Sequence, residues 1–121
     1  MRLSADQLDQ IDAAQEVLIE TRAGQRRFRA IIWVVVDEGE VFVRSYLGQS
    51  GRWYQRALAD PEVSLIVGSD RHRFRAEPAT DPESVERTSN GFRRKYRPGR
   101  SLDAMIRPEV LETTIRLDPI G

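Results

Sequence analysis

FRAIIWVVVDEGEVFVRSYLG, residues 28–48, places two β-rich runs on either side of Asp37-Glu38-Gly39-Glu40. Glu38-Gly39 suits a tight two-residue turn, and such a turn sets which residues face each other across the hairpin. Val36 then opposes Val41, Val34 opposes Val43 and Ile32 opposes Ser45, so one face is almost wholly apolar. The other face pairs Val35 with Phe42, Trp33 with Arg44 and Ile31 with Tyr46, with Arg29 beyond. That second face is aromatic yet carries two arginines. It suits neither bare solvent nor a closed core that would leave those charges unpaired.

The rest of the chain is read outward from this hairpin. Upstream, Gly24-Gln25 predicts a turn, and residues 16–23 alternate as a strand with Val17, Ile19 and Thr21 on one side. Ser4 and Gln7 form a capping-box pair that opens a short helix over residues 5–14. Downstream, Ser50 is placed to cap a helix over 51–60 that stops before Pro61. Residues 62–68 and 72–80 predict a second hairpin, with Val63, Leu65, Val67, His72, Phe74 and Ala76 inward. Asp81-Pro82-Glu83 starts a helix that runs to about residue 96. Pro98-Gly99 breaks it, Ser101 caps one more short turn, and residues 109–118 alternate as the last strand. The sum is a mainly β domain spanning residues 1–121: an antiparallel split barrel of about six strands with peripheral helices.

Composition narrows the function. With 40% hydrophobic and 31% charged residues the chain is globular, and no apolar run approaches the roughly 20 residues of a membrane span. Met1-Arg2-Leu3-Ser4 starts no signal peptide, so a cytoplasmic location is expected. Nineteen basic residues balance nineteen acidic ones, which gives no overall field to attract nucleic acid or a membrane surface. All the cations are arginine except Lys95. Arginine's planar fork suits phosphate and carboxylate, while genomic base composition would produce the same bias. There is no cysteine and one histidine, His72, so no metal centre is expected.

In GRWYQRALADPEVSLIVG, residues 51–68, Arg52 and Arg56 are four apart and share one helix face. They would hold an anion at the helix start, or solvate that face and pair with Asp60 and Glu62. Trp53 and Tyr54 with Ala57 and Leu58 make an ordinary buried stripe as well as a candidate ring-binding surface. Trp33 opposite Arg44 is equally compatible with a cross-strand cation–aromatic pair. His72, beside Phe74 in a strand, reads as a structural histidine. The run Arg93 to Arg100 reads as a solvated helix face or a flap over an anionic ligand.

The element order and the phrase Val43-Arg44-Ser45 followed by GRWYQRALADPEVSLIVG resemble the FMN-binding split-barrel superfamily, the fold of pyridoxamine phosphate oxidase. The Trp-Tyr pair opening a helix that ends in Asp-Pro before a valine-rich strand is most similar to the deazaflavin-dependent nitroreductase-like branch. The resemblance implies a bacterial family of uncharacterised proteins beside that branch. It also implies a homodimer with FMN or a deazaflavin in a cleft between subunits. By position, Arg29, Ile31 and Trp33 would line the ring or its side chain, and Arg44, Ser45 and Arg52 would meet the phosphate, with Trp53 beside them. Valines stand where the oxidases carry a lysine on the second strand, so the oxidase's own reaction is not expected.

Three function classes follow. The first is a flavin- or deazaflavin-binding oxidoreductase, nitroreductase-like, acting on a small molecule, with no catalytic acid assigned. The second is a non-catalytic protein that holds a flavin, haem or another anionic ligand. The third is a regulatory or nucleic-acid partner using the arginine-rich helix, which the neutral charge balance disfavours.

Overall fold

The computed structural model describes residues 2–121. Helix α1 (Ala5–Ala13) opens with the expected capping box between Ser4 and Gln7. Strands β1 (Val17–Ala23) and β2 (Arg26–Ile32) form a hairpin across Gly24-Gln25, pairing Val17 with Ile32 through Ala23 with Arg26. The short strands β3 (Val35–Asp37) and β4 (Glu40–Val43) meet across Glu38-Gly39. Both turn residues have positive φ, 49° and 78°, as a primed two-residue turn requires. Then follow α2 (Arg52–Ala59), the hairpin of β5 (Glu62–Val67) and β6 (Asp70–Pro78), α3 (Pro82–Lys95), α4 (Arg100–Ile106), α5 (Pro108–Leu111) and β7 (Ile115–Pro119).

There are seven strands rather than six, and the extra one comes from the opening stretch itself. Its register holds for Val35 with Phe42 and Val36 with Val41, but the pairing stops there. Residues 26–32 pair with β1 instead, so the expected cross-strand pairs of Trp33 with Arg44 and Ile31 with Tyr46 do not form. The break falls at Val34, whose backbone is taken over by the end of α3. Its N–H donates to the Tyr96 hydroxyl at 3.2 Å, and its carbonyl accepts from Lys95 Nζ at 2.8 Å. The Tyr96 hydroxyl in turn donates to the Gln15 carbonyl at 2.7 Å. With those groups satisfied by side chains, the strand loses nothing by leaving the ladder.

The sheet order is β2-β1-β5-β6-β7-β4-β3, antiparallel throughout. Its two edges, β2 and β3, are consecutive pieces of one run, so the covalent chain at Trp33-Val34 closes a barrel that hydrogen bonds leave split. Inside, Ile19, Val34, Val43, Leu65, Phe74 and Leu117 are fully or almost fully buried. Val63, Leu65, Val67, His72, Phe74 and Ala76 all point inward as the alternation predicts. A second, smaller core lies outside the barrel, where Val35, Phe92, Tyr96, Leu102 and Met105 pack between β3 and the helices α3 and α4. Gly91 permits that approach, because a Cβ there would sit 2.1 Å from Val35 Cγ1.

Three local readings are corrected. Helix α2 is capped by Gly51 without a side-chain bond, while the Ser50 hydroxyl donates to the Leu47 carbonyl inside a 3-10 turn over Gly48–Ser50. Helix α4 starts at Arg100 after Gly99, so Ser101 lies within it rather than capping it. Residues 108–111 are helical because Pro108 favours a first helical position, and the last strand begins only at Ile115.

Two expectations follow from this packing. A Cβ on Gly51 would meet Ser45 Oγ at 2.2 Å, and that hydroxyl is already committed to the Gly48 carbonyl at 2.7 Å. Gly51→Ala should therefore cost about 1–3 kcal/mol in denaturant unfolding, as overpacking does. Burial lowers the Lys95 ammonium from 10.5 to about 8 and raises the Tyr96 phenol from 10.0 to about 12. Below pH 8 the folded state carries the full cost of the buried Lys95 charge, and stability rises as the pH climbs from about 8 toward 10.5. Tyr96 acts with the opposite sign, its contribution being lost as the pH climbs from 10 toward 12. Thermal midpoints should thus rise between pH 8 and 10, and Lys95→Met should flatten that rise.

Candidate functional site

The break at Val34 opens a cleft where the end of β2, the end of β4, the start of α2 and α4 come together. It has two chambers that share Ile31, Tyr46 and Trp53. The outer chamber, about 400 Å³, is lined further by Ala30, Ser45, Leu47, Ser50, Arg52 and Arg56. The inner chamber, about 190 Å³, is lined further by Glu16, Ile32, Trp33, Arg44, Ser101 and Met105. Ile31, Tyr46 and Leu47 are 66%, 55% and 60% exposed, an unusual run of large apolar side chains along the rim of one cleft.

The cleft unites six of the seven residues expected to bind a ligand: Ile31, Trp33, Arg44, Ser45, Arg52 and Trp53. Arg29 is the exception. It lies on the outer face of β2, where its Nε is 2.9 Å from the Glu20 carboxylate, which Arg27 and Arg71 also contact. Those arginines hold the Glu20 carboxyl below its ordinary pKa against the opposing effect of burial, the Arg71 hydrogen bond contributing most.

Of the three residues expected at the phosphate, Arg44 lines the inner chamber, whereas Ser45 and Arg52 line the outer one. Arg44 is only 1% exposed and faces the inner chamber. Its Nε donates to Thr114 Oγ1 at 2.9 Å, Nη1 to Ser89 Oγ and the Met105 carbonyl at 3.0 Å each, and Nη2 to the Val85 carbonyl at 3.1 Å. The guanidinium also stands 5.5 Å over the Phe92 ring. Every partner is neutral. Burial, aided by the positive charge of Arg93, lowers its pKa well below the usual guanidinium value, to about 10. Ser45 spends its hydroxyl on the Gly48 carbonyl and its N–H on Thr113 Oγ1. Arg52 is exposed on the first turn of α2 and enters no ion pair among the described residues. Arg56 donates to Thr21 Oγ1 at 3.0 Å and covers the Phe28 ring at 4.1 Å. Asp60 and Glu62, the acids expected to pair with it, are taken by Arg22.

Trp33 is fixed from behind by Tyr96, stacked at 3.8 Å with the rings 2° from parallel. Trp53 is 8% exposed and stands edge-on to Tyr54 at 6.2 Å between centroids. Tyr46 belongs to the cleft although the site reading left it out; its place opposite Ile31 in the hairpin register was the available signal. No sequence signal pointed to Met105 or Leu47. His72 lies elsewhere, with Nε2 2.9 Å from Gln10 Oε1. Arg93, Arg94, Arg97 and Arg100 are all exposed, as a solvated face would have them, and Arg94 also reaches Asp37 and the Val36 carbonyl on β3. Among the described residues no group of three His, Cys, Asp or Glu could hold a metal ion, and no helix is long and apolar enough to cross a membrane.

Solved structures share this architecture at low identity. A pyridoxamine 5′-phosphate oxidase-like protein of Listeria innocua superposes with a TM-score of 0.70 at 15% identity, over 96% of this chain and 92% of that one. The heme storage protein HutZ of Vibrio cholerae gives 0.68 at 15% identity, over 100% and 92%. An FAD-binding protein of Mesorhizobium loti gives 0.65 at 16%, over 98% and 91%. The fold is therefore that of the pyridoxamine 5′-phosphate oxidase-like split barrels, and at these identities nothing finer is shared. Among curated proteins none matches this sequence significantly. Residues 7–117 match the family described as uncharacterized protein conserved in bacteria (DUF2255), and the chain belongs to that family.

Proposed function

We propose that this protein binds a flavin-type cofactor in the outer chamber, with the flavin ring against Ile31, Tyr46 and Trp53 and its phosphate toward Arg52 and the first turn of α2. The observation that carries this reading is the single cleft in which an exposed apolar rim leads to a helix N-terminus bearing Arg52, which enters no ion pair among the described residues. Free amides and the positive end of the helix dipole favour an anion there, and arginine adds a planar pair of donors. The donor set fits a flavin phosphate, and the two flavin-sized requirements, an apolar wall and a cationic end, lie side by side. The flavin-binding and pyridoxamine 5′-phosphate oxidase-like relatives by fold support the choice of cofactor. FMN and a deazaflavin coenzyme are the two alternatives for that cofactor, and an electron-poor small molecule is the corresponding substrate.

A bound flavin supplies hydride transfer itself, and the chain's part is to orient it and exclude water. The outer chamber offers no carboxylate and no imidazole: its polar side chains are Ser45 and Ser50, both spent on backbone carbonyls, Tyr46, and two arginines. That favours, as a second reading, a protein that holds the cofactor without turnover. Haem fits less well, because the one histidine is buried and bonded to Gln10 away from the cleft. In both readings Ile31, Tyr46 and Leu47 are covered by a second copy of the chain, which completes the cleft as a homodimer.

Titration with FMN and with riboflavin, followed by tryptophan fluorescence, tests the assignment. FMN should bind and Arg52→Ala should weaken it by about 1–3 kcal/mol, the range of a charge-assisted bond to phosphate. Riboflavin should bind weakly and be indifferent to that substitution. Equal affinity for FMN and riboflavin would remove the phosphate from α2, and binding of neither, nor of a deazaflavin, would remove the cofactor.

A further inference from the structure

We infer that the inner chamber is a binding site for a small organic monoanion, a planar carboxylate of about benzoate size, received by the guanidinium of Arg44. This rests on the cofactor reading and deepens it by naming the class of molecule that would share the cleft with the flavin, its charge partner being Arg44 rather than Arg52.

The first argument is charge. Arg44 is 1% exposed, yet its four hydrogen-bond acceptors are two hydroxyls and two backbone carbonyls. Among the described residues no carboxylate lies within ion-pairing distance of it, and the nearest charge acting on it is the cation of Arg93. Buried charges in proteins are normally paired, because neutral dipoles solvate a charge without cancelling it. A guanidinium has five N–H donors, and four are spoken for. One N–H of Nη2 is left, on a residue that lines the chamber.

The second argument is the shape of the space. At about 190 Å³ the chamber is less than half the volume of the outer one and suits a single ring with one acidic substituent. Much of its wall is apolar: Trp33 is backed by the stacked Tyr96 ring at 3.8 Å, and Trp53, Ile32 and Met105 are each 8% exposed or less. Polarity is graded along it. The one acid lining the chamber, Glu16, is exposed, as is Ser101, so both sit toward the mouth while the cation lies deep. An entering carboxylate is thus directed inward. A single spare N–H and one positive charge suit a monoanion, whereas a phosphate dianion calls for several converging donors.

The test uses ¹⁵N-labelled protein without any flavin and follows the indole N–H signals of Trp33 and Trp53 by NMR. Benzoate should shift them saturably, and its neutral isostere benzamide should bind about tenfold or more weakly, as loss of a charge-assisted bond implies. Ser101→Trp places bulk at the exposed mouth and should abolish the benzoate response with the fold intact. Arg44→Gln should make benzoate and benzamide equal. Because that variant also removes a buried clamp and can unfold, the Ser101→Trp result decides on its own. Equal binding of benzoate and benzamide to the parent protein overturns the inference, as does an unchanged benzoate response in Ser101→Trp. A response to none of acetate, benzoate and phenylacetate overturns it as well. FMN binding with no carboxylate response leaves the cofactor reading standing alone, and the converse leaves this one.

Discussion

The structure depends on what happens to the backbone of one residue. Val34 sits in the middle of a β-rich run that would otherwise continue as a single long strand, and two side chains from the end of α3 satisfy its N–H and carbonyl in place of a sheet neighbour. An unpaired buried backbone group costs as much as a lost hydrogen bond, so without Tyr96 and Lys95 the break would be expensive. With them, residues 26–37 serve as both edges of one sheet. Everything else is arranged around that hinge: the barrel interior on one side, the second small core on the other, and the cleft in the gap. The same tyrosine whose hydroxyl accepts from Val34 backs Trp33 with its ring, so the latch and the wall of the site are one device.

Local chemistry made most of the fold legible. The capping box at Ser4, the cap and proline at Asp81-Pro82, and the alternation in residues 62–78 each act within a few residues of chain, and each is found in place. The Glu38-Gly39 turn is also found, and it sets the two pairs nearest to it. What alternation does not carry is how far a pairing extends. Residues 28–33 alternate equally well against β4 or β1, and the choice is made by Tyr96 and Lys95, more than 60 positions away in the chain. The strand count of six rather than seven is the direct result. The last strand was begun too early for a similar reason, since Leu111 continues the alternation of Thr113, Ile115 and Leu117 while Pro108 starts a helical turn that includes it.

The site was legible as a neighbourhood but not as a set of roles. Ile31, Trp33, Arg44 and Tyr46 come to one cleft even though Trp33 and Arg44 are not cross-strand partners, because the break bends the chain without reversing its faces. Arg29 shares the outer face of β2 with Ile31, but Glu20 on the neighbouring strand captures it, and sequence alone gives no reason to pair residues 20 and 29 before the β1–β2 register is known. The role of Arg44 was hidden most completely. Its acceptors come from residues 85, 89, 105 and 114, on α3, α4 and the approach to β7, so nothing near it in sequence announces that it will be buried.

That burial also explains why arginine, rather than lysine, occupies position 44. A lysine ammonium has three donors in a compact head and sheds its proton readily when desolvated; a guanidinium spreads five donors across a plane and keeps its charge. The contrast is visible within this molecule. Burial brings Lys95 down to about 8, close to losing its charge under ordinary conditions, while Arg44, more deeply buried, stays cationic at about 10. Lys95 needs only one acceptor, the Val34 carbonyl, and its task at the latch is served with or without a full charge. Arg44, just past β4, ties that strand's end to three other segments at once and still has one N–H uncommitted. A stabilising clamp alone would gain from a neutral group of the same shape, since breaking even with a buried charge requires a partner of opposite sign. A permanent cation held there by neutral acceptors alone is the feature on which the inferred anion site rests.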